Sequence, residues 1–257
     1  MPMKLSIITI VKNGKDIIEK TIQSVVSQTC KDFEYIVIDG ASDDGTYDVI
    51  KKYSDRITHL ISEKDNGIGD AFNKGIKCAS GDWILFLNAG DYFFENNVLQ
   101  KMVPVLDRQD KTVDIVYGKV LYINSSNKVL KVAGNKNYKK LIKWEMPFPH
   151  QATFQRRTLF DIYGLFDTSY KIAVDYEFMI RIPNIKAVFV PVVVSNMLAG
   201  GVSMSNTTSA LNESRRAHFC HYRDSSLSIW MHYTFIQLRI RVMFALRKLF
   251  GKRLDVA

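Results

Sequence analysis

The sequence has few cysteines and no long hydrophobic run, and each absence excludes a class of protein. Its three cysteines, Cys30, Cys78 and Cys220, share no paired spacing among 257 residues. This pattern argues against a disulfide framework or a zinc site, and it fits a reducing cytoplasm. No run of 18 apolar residues is present, so we expect no ordinary transmembrane helix. The apolar N-terminal run lacks a small-residue cleavage site, and we expect a first strand there instead of a signal peptide.

The composition is that of a folded protein with an excess of positive charge. Hydrophobic residues make up 47% of the chain, which is enough to bury a full core. The formal net charge is +9, and the basic excess lies in residues 128–143 and from residue 215 onward. Such an excess suggests an anionic partner, which could be a nucleic acid, a phosphorylated ligand or an anionic membrane surface.

The first 97 residues predict strands that alternate with helices. The predicted strands are Leu5–Val11, 33–38, 57–61 and 83–87. The helices between them are predicted at 17–26, 47–53 and 68–79, the first of them capped by Asp16. Strands and helices of these lengths indicate βαβ units around a mostly parallel sheet.

The pattern changes after residue 97. Short strands are predicted at 113–117, 120–123, 129–132 and 187–194, which indicates a small antiparallel addition. Helices are predicted at 98–106, 138–144, 157–163, 174–182 and 206–223. We therefore predict one α/β domain over residues 1–205, which divides near residue 97 into two halves, followed by a helical extension at 206–257.

Polar residues follow several predicted strands at their C-terminal ends. Lys12, Asp39 and Asn88 each lie just beyond a strand, and such loops converge on one crevice in an open α/β sheet. Asp91 adds a carboxylate to the loop after the 83–87 strand. Oxygen ligands of this kind suit Mg²⁺ or Mn²⁺ held jointly with substrate phosphates.

The C-terminal tail predicts an amphipathic, basic helix. Its polar residues fall on a narrow stripe: Thr234, Gln237, Arg241, Lys248 and Lys252. The wide remaining surface is apolar, as in helices that lie in a membrane interface. The alternative is a helix packed on the domain or on a second subunit of a homodimer.

Several segments together resemble family-2 glycosyltransferases of the GT-A fold. They are LSIITIVKNG, FEYIVIDGASDDGT, EKDNGIGDAFNKGI, GDWILFLNAGD, FPHQATF and GLFDTSYKIAVDYEFMIR. Their order and spacing cover about residues 3–203, and the chain looks most similar to bacterial members that build surface polysaccharides. The resemblance implies a Rossmann-like, mostly parallel sheet flanked by helices, and a nucleotide-sugar donor. It also implies that residues 1–97 form a nucleotide-binding half and residues 98–205 an acceptor-binding half.

The resemblance also implies roles for individual residues on the donor side. The residues implied to line the nucleotide are Thr9, Val11, Asn13, Asp39, Lys64, Asp65, Gly67 and Asn88. The family's Asp-x-Asp metal motif corresponds here to Asn88, Gly90 and Asp91, so that only Asp91 keeps a carboxylate. We expect a divalent cation, Mg²⁺ or Mn²⁺, at a site that is weaker or more dependent on the substrate.

On the acceptor side, the resemblance implies that Asp175 is the catalytic base. An inverting sugar transfer needs one carboxylate to take the proton of the acceptor hydroxyl, and it needs no enzyme nucleophile. Glu177 is the alternative base, although it would point to another face of the helix. The resemblance implies that His150 and Gln151 face the cleft, where they would touch acceptor or diphosphate.

The expected function is inverting transfer of a sugar, from a UDP-sugar by preference, to a glycan or lipid-linked acceptor at the inner face of the cell membrane. Three alternatives stay open. A nucleotidyltransferase would need a longer Gly-rich, basic loop than residues 12–14 provide. A nucleic-acid binder rests on charge alone, no binding motif appears, and we expect no nucleic acid partner. The departures at Asn88 and Gly90 allow a catalytically degenerate transferase that still binds nucleotide.

Overall fold

The structure is a computed structural model that describes residues 5–134, 137–200, 206–222 and 226–250. Runs of β-branched and aromatic residues form the strands of one sheet. The strands are β1 (Leu5–Val11), β2 (Glu34–Asp39), β3 (His59–Ser62), β4 (Trp83–Phe86), β5 (Tyr92–Phe93), β6 (Ile115–Ile123), β7 (Val129–Ala133), β8 (Thr153–Arg156) and β9 (Ala187–Leu198).

Amphipathic segments form the helices that flank this sheet. The helices are α1 (Lys15–Val26), α2 (Thr46–Lys51), α3 (Ile68–Cys78), α4 (Val98–Asp107), α5 (Tyr138–Leu141), α6 (Thr158–Tyr163), α7 (Val174–Arg181), α8 (Thr207–His221) and α9 (Ser226–Phe250). A 3₁₀ turn, His150–Ala152, leads directly into β8.

The strand order creates a crevice beside β1. The sheet runs β3-β2-β1-β4-β8-β6-β9-β5, and β7 pairs with β6. Strand β1 lies parallel to both β2 and β4, so the order reverses at β1. Ligands bind at such a reversal, beyond the carboxyl ends of the strands. The predicted α/β class, with a mostly parallel sheet and an antiparallel addition, is confirmed.

The core fills both faces of the sheet because alternate strand residues point to opposite sides. Ile8 and Ile36 pack with residues of α3, α6 and α7. Ile7 and Val37 pack with residues of α1 and α4 on the other face. This two-sided burial explains why β1, β2 and β4 read as almost continuous apolar runs.

Several elements differ from the sequence prediction. The two strands predicted at 113–117 and 120–123 are one strand, β6, with irregular register around Gly118. A Cβ at Gly118 would lie 2.6 Å from the carbonyl oxygen of Val192, so the glycine permits this close approach. Strands β5 and β8 were not predicted, because neither shows an apolar alternation of useful length. Asp16 lies in the first turn of α1 and Gly14 occupies the N-cap, so the predicted Asp16 cap was wrong.

The C-terminal helices pack back onto the domain. Ile229 and Tyr233 of α9 are buried, and Gln237 donates a hydrogen bond to Asn212 of α8. None of the described helices combines the length and apolar character needed to cross a membrane. The side chains of Arg241 and Lys248, and all of Lys252, belong to the predicted polar stripe but lie outside the described residues.

A buried carboxylate joins the starts of the strands that carry the crevice. Glu34, which is 2% exposed, accepts hydrogen bonds from the Ser6 hydroxyl (2.6 Å) and from the backbone N–H groups of Ser80 (2.6 Å) and Gly81 (3.1 Å). Because Ser80 and Gly81 precede β4, this carboxylate fixes where β4 begins beside β1.

We predict that Glu34→Ala lowers the free energy of unfolding by roughly 2 to 4 kcal/mol, since buried donors lose their acceptor. Urea unfolding measures the change. Glu63→Ala is the matched control, because this glutamate is 58% exposed in its ion pair with Lys74, and its loss should stay within about 0.5 kcal/mol. Equal losses in the two variants would contradict the role of Glu34.

Candidate active site

A cleft of about 600 Å³ lies beyond the carboxyl ends of β1 and β4. Its walls come from the loops after these strands, the start of α3, the 3₁₀ turn, the start of α7 and the end of β9. Eight of the predicted site residues line it: Val11, Asp65, Gly67, Asn88, Asp91, His150, Gln151 and Asp175. The topology therefore brings together residues that are up to 164 positions apart in the sequence.

The loop after β4 is a tight turn held by α1. The Asp91 N–H donates to the Asn88 carbonyl (2.9 Å), and Gly90 has a φ of +94°, which favours glycine. The Thr21 hydroxyl donates to the Asp91 carbonyl (2.7 Å) and accepts from the Gly90 N–H (3.0 Å). These bonds fix the direction of the Asn88 and Asp91 side chains relative to the cleft.

Asp91 is a buried carboxylate on the cleft wall. It is 7% exposed, and burial raises its pKa to about 7. Hydrogen bonds from the Gln151 side chain and from the Leu198 backbone oppose that shift. The loss of hydration thus outweighs the effect of the local donors on the pKa of Asp91. A cation close to Asp91 would stabilise its ionised form.

The oxygens of the β4 turn fit a shared cation site. Within the described residues, no group of three His, Cys, Asp or Glu side chains could hold a metal ion. The Asn88 Oδ1 atom, however, is buried without a hydrogen-bond partner in the described structure. The Asp91 carboxylate lines the same cleft, and proteins commonly hold Mg²⁺ with one or two carboxylates together with substrate phosphates.

Asp175 lies on another wall of the same cleft, in the first turn of α7. Its Oδ2 atom is 3.8 Å from Nδ1 of His150, and its side chain is 28% exposed. His150 stacks on Phe86 with ring centroids 5.1 Å apart and also contacts Phe72. Burial lowers the pKa of His150 despite the nearby Asp175 charge, so the imidazole is neutral around pH 7.

Glu177, the alternative base, is occupied elsewhere. It is 2% exposed, accepts from Nε of Arg181 (3.0 Å) and lies 2.8 Å from Nε2 of His221. It is absent from the cleft wall, where Asp175 is the carboxylate contributed by α7. This geometry favours Asp175 over Glu177 as the proton acceptor.

On the nucleotide side, the cleft wall includes Asp65, which accepts a hydrogen bond from the Gly67 N–H (3.0 Å). The Asp65 carboxylate also packs closely against Gly40, where a Cβ would lie 2.2 Å from Oδ2. Gly40 therefore lets the loops after β2 and β3 approach each other beside Val11, another lining residue.

Four residues predicted to contact nucleotide do not line the cleft. The Thr9 hydroxyl donates to the Leu87 carbonyl (2.6 Å), within the sheet. Asn13 is exposed, and its Oδ1 accepts from the Asp43 N–H. Asp39 is buried and accepts hydrogen bonds from the hydroxyls of Ser42 and Ser62. Lys64 is exposed.

Sequence reasoning missed other residues of the site. Lys12, Ile17 and Leu198 line the cleft, and only Lys12 gave a signal, through its place in the loop after β1. Tyr122 of β6 lies close enough to Asp91 and Asp175 for their charges to add to the burial that raises its pKa. Leu198 and Tyr122 lie on long strands whose ends the apolar pattern could not locate.

Comparison with known proteins identifies the family. The model for glycosyl transferase family 2 matches residues 6–166. The chain belongs to this family. A PGL/p-HBAD biosynthesis glycosyltransferase of Mycobacterium tuberculosis is 31% identical over 179 residues, which are 68% of each chain. The protein is therefore a glycosyltransferase, as predicted. The family match ends before Asp175, which rests on the geometry above.

Solved structures confirm the GT-A fold. Residues 1–349 of S. aureus TarS, in complex with UDP-GlcNAc, align with a TM-score of 0.69 and 18% identity over 98% of this chain and 77% of that one. The chain spans 41% of a longer TarS structure. The mannosyltransferase PcManGT of Pyrobaculum calidifontis, in complex with GDP-Man and Mn²⁺, aligns with a TM-score of 0.61 and 18% identity over 84% of this chain and 63% of that one.

The raised pKa of Asp91 predicts a pH dependence of stability. The folded pKa of about 7 exceeds the ordinary value of 3.8, so folding favours the neutral carboxyl and this contribution is lost as pH rises from about 4 to 7. In metal-free buffer, the difference in Tm between Asp91→Asn and wild type should grow by roughly 5 to 10 °C, in favour of the variant, as pH rises over this range. Thermal melts at each pH measure it, with Asp161→Asn on α6 as an exposed control. Parallel profiles for wild type and Asp91→Asn would contradict the shift.

Proposed function

We propose that this glycosyltransferase transfers a sugar from a UDP-sugar to a glycan or lipid-linked acceptor, with inversion at the anomeric carbon, in the synthesis of a cell-surface polysaccharide. The observation that carries the proposal is the arrangement of Asp91 and Asp175 on walls of one cleft. In this proposal Asp91 would lie at the diphosphate, and Asp175, whose side chain is 28% exposed, would accept the proton. The TarS complexes with UDP and UDP-GlcNAc support UDP as the nucleotide, since they share the fold.

The reaction requires one base and one leaving group. The Asp175 carboxylate takes the proton of the acceptor hydroxyl as that oxygen attacks the anomeric carbon. The bond between this carbon and the diphosphate oxygen breaks, and UDP leaves with the bonding electron pair. A single displacement of this kind inverts the anomeric configuration and leaves no sugar bound to the enzyme.

The neutral imidazole of His150 supports this role of Asp175. It lies 3.8 Å from the carboxylate and packs against the rings of Phe72 and Phe86, and in its neutral form it adds no positive charge that would weaken the base. On the donor side, Asn88 Oδ1 and Asp91 would hold Mg²⁺ or Mn²⁺ together with the diphosphate. A cation bound there would neutralise the negative charge of the leaving UDP. The Mn²⁺ complex of PcManGT supports this cofactor.

The exposed face of α9 supports a peripheral position on the inner face of the cell membrane. Its large apolar residues recur every three or four positions and are about half exposed or more: Leu227, Trp230, Met231, Phe235, Leu238 and Val242. The opposite face, with Ile229 and Tyr233, is buried against the domain. One face is thus packed on the domain, and the exposed apolar face supports the proposal of an interfacial helix.

Basic residues close to this apolar face favour an anionic membrane surface. Arg239 on α9 is exposed, and so are Lys139 and Lys140 on α5. The Trp144 ring, which follows α5 in the chain, lies with its centroid 4.1 Å from that of His232 on α9, so the chain just after these lysines contacts the helix. Lysines and arginines beside an apolar face that enters the membrane interface strengthen binding to anionic lipid. A membrane position would bring the cleft to a lipid-linked acceptor.

The catalytic test is Asp175→Asn. We expect release of UDP from the UDP-sugars that wild type consumes to fall at least about 100-fold, because the proton acceptor is lost. Calorimetric affinity for UDP should change less than about threefold, with Mn²⁺ strengthening binding in both proteins, since Asp175 lies apart from the diphosphate site. UDP, GDP, dTDP, UDP-glucose, UDP-galactose and UDP-GlcNAc form the panel.

Asp161→Asn on α6 is the matched control, because this carboxylate is 59% exposed and outside the cleft. Absence of nucleotide binding in folded wild type would refute a donor site. Nucleotide binding without turnover of any sugar or acceptor would instead support the catalytically degenerate alternative.

The membrane test is the double variant Trp230→Ser, Phe235→Ser. Wild type should co-sediment with vesicles that contain phosphatidylglycerol, and less so in high salt. The affinity of the variant for these vesicles should fall by at least roughly tenfold, because two exposed apolar side chains are lost. Ile162→Ser on α6, where the isoleucine is 70% exposed, is the control. Unchanged vesicle binding would contradict the proposal, and a dimer that dissociates only in the variant would assign this face to a second copy.

A further inference from the structure

Helix α8 contacts the chain immediately before the proposed base. The Glu213 carboxylate accepts hydrogen bonds from three consecutive backbone N–H groups, those of Lys171 (3.0 Å), Ile172 (2.8 Å) and Ala173 (2.9 Å). Hydrogen bonds to an ionised acceptor are roughly twice as strong as those between neutral groups. Three of them on one side chain fix the path of this loop.

The same loop sets the position of Asp175. Ala173 is the N-cap residue of α7, and no side chain caps that helix from its own N-cap. Helix starts leave backbone N–H groups without partners inside the helix, and here Glu213 supplies an acceptor from another helix. Ile172 and Val174, on either side of Ala173, both line the cleft. A shift of this loop would therefore move Asp175 and the cleft wall together.

Other contacts hold α8 in place against the same region. Arg216 donates to the Ser169 hydroxyl (2.7 Å) and lies over the Tyr170 ring. Nε2 of His221, at the C-terminal end of α8, lies 2.8 Å from the buried Glu177 carboxylate of α7. Helix α8 is thus anchored to the chain on both sides of the 171–173 loop, at residues 169–170 and at Glu177.

We propose that Glu213 is a positioning residue for the transfer reaction, and that the C-terminal extension thereby completes the active site. The proposal rests on the proposed function, in which Asp175 is the base. Glu213 holds residues 171–173 so that the Asp175 carboxylate faces the acceptor, and it touches neither donor nor acceptor itself. The 206–257 extension is then part of the catalytic unit and more than a membrane attachment.

Donor binding should depend little on Glu213. The loop at 65–67 has hydrogen bonds of its own, from the Asn66 N–H to Asp70 and from the Gly67 N–H to Asp65. Lys171 also reaches this loop, through a bond from its Nζ to the Asn66 carbonyl, but that same Nζ is held by the Thr168 carbonyl as well. Loss of Glu213 is therefore expected to affect kcat more than affinity for UDP.

The test compares Glu213→Ala, Glu213→Gln and the control Asn212→Ala in the full chain. Asn212 is the neighbouring α8 residue that accepts from Gln237, so its loss loosens the two C-terminal helices without touching residues 171–173. Hydrogen exchange at residues 171–176 should speed up at least about tenfold in Glu213→Ala and stay unchanged in the control. The kcat for UDP release should fall roughly tenfold to a hundredfold, with UDP affinity within about threefold of wild type.

Glu213→Gln separates positioning from folding. Its amide oxygen still accepts hydrogen bonds, so kcat should recover most of the loss, and Tm should stay near that of wild type. Unchanged exchange in Glu213→Ala would overturn the proposal, as would unchanged kcat despite faster exchange, or UDP affinity and kcat falling in equal proportion. Inactive wild type would count against the proposed function, whereas the exchange result would still decide whether Glu213 holds the loop.

Discussion

The parallel pairing of β1 between β2 and β4 is the constraint on which the rest of the structure depends. The strand order reverses at β1, and ligands bind beyond the carboxyl ends of the strands at such a reversal. A crevice is left there, and the loops after both strands are obliged to border it. Thr21 of α1 then holds the turn after β4 in one conformation. The cleft wall around the turn after β4 thus follows from topology and one hydroxyl.

The buried carboxylates of the molecule divide into two kinds. Glu34 and Glu177 are surrounded by donors or cations and serve the architecture. Asp91 is buried with fewer donors than its charge requires. Unmet electrostatic demand of this sort is characteristic of sites that bind or transform charged substrates. This electrostatic difference distinguishes Asp91 from Glu34 and Glu177 more clearly than burial does.

Much of this could be predicted from the sequence, and the exceptions have physical reasons. The βαβ half was predictable because strands buried on both faces, such as β1, carry an unbroken apolar signal. Strand β8 was not, because the Thr153–Arg156 segment has no apolar alternation and is a strand only through its neighbours. Local motifs placed Asn88, Asp91 and Asp175 at strand ends and a helix start, where the cleft forms. The contact of Glu213 with residues 171–173 depends on how α8 packs, and no local pattern encodes that.

The order of these segments along the chain also matters during synthesis. Glu213 leaves the ribosome after Asp175 and long after the loops that border the cleft on the side of β1 and β4. A nascent chain could therefore assemble its sheet and bind a donor before the loop carrying the base had its acceptor from α8. The chain would become reactive toward the donor only once α8 is in place. Helix α9, whose apolar face is exposed, follows α8 directly in the chain. Folding order would then limit wasteful hydrolysis of the donor by unfinished enzyme.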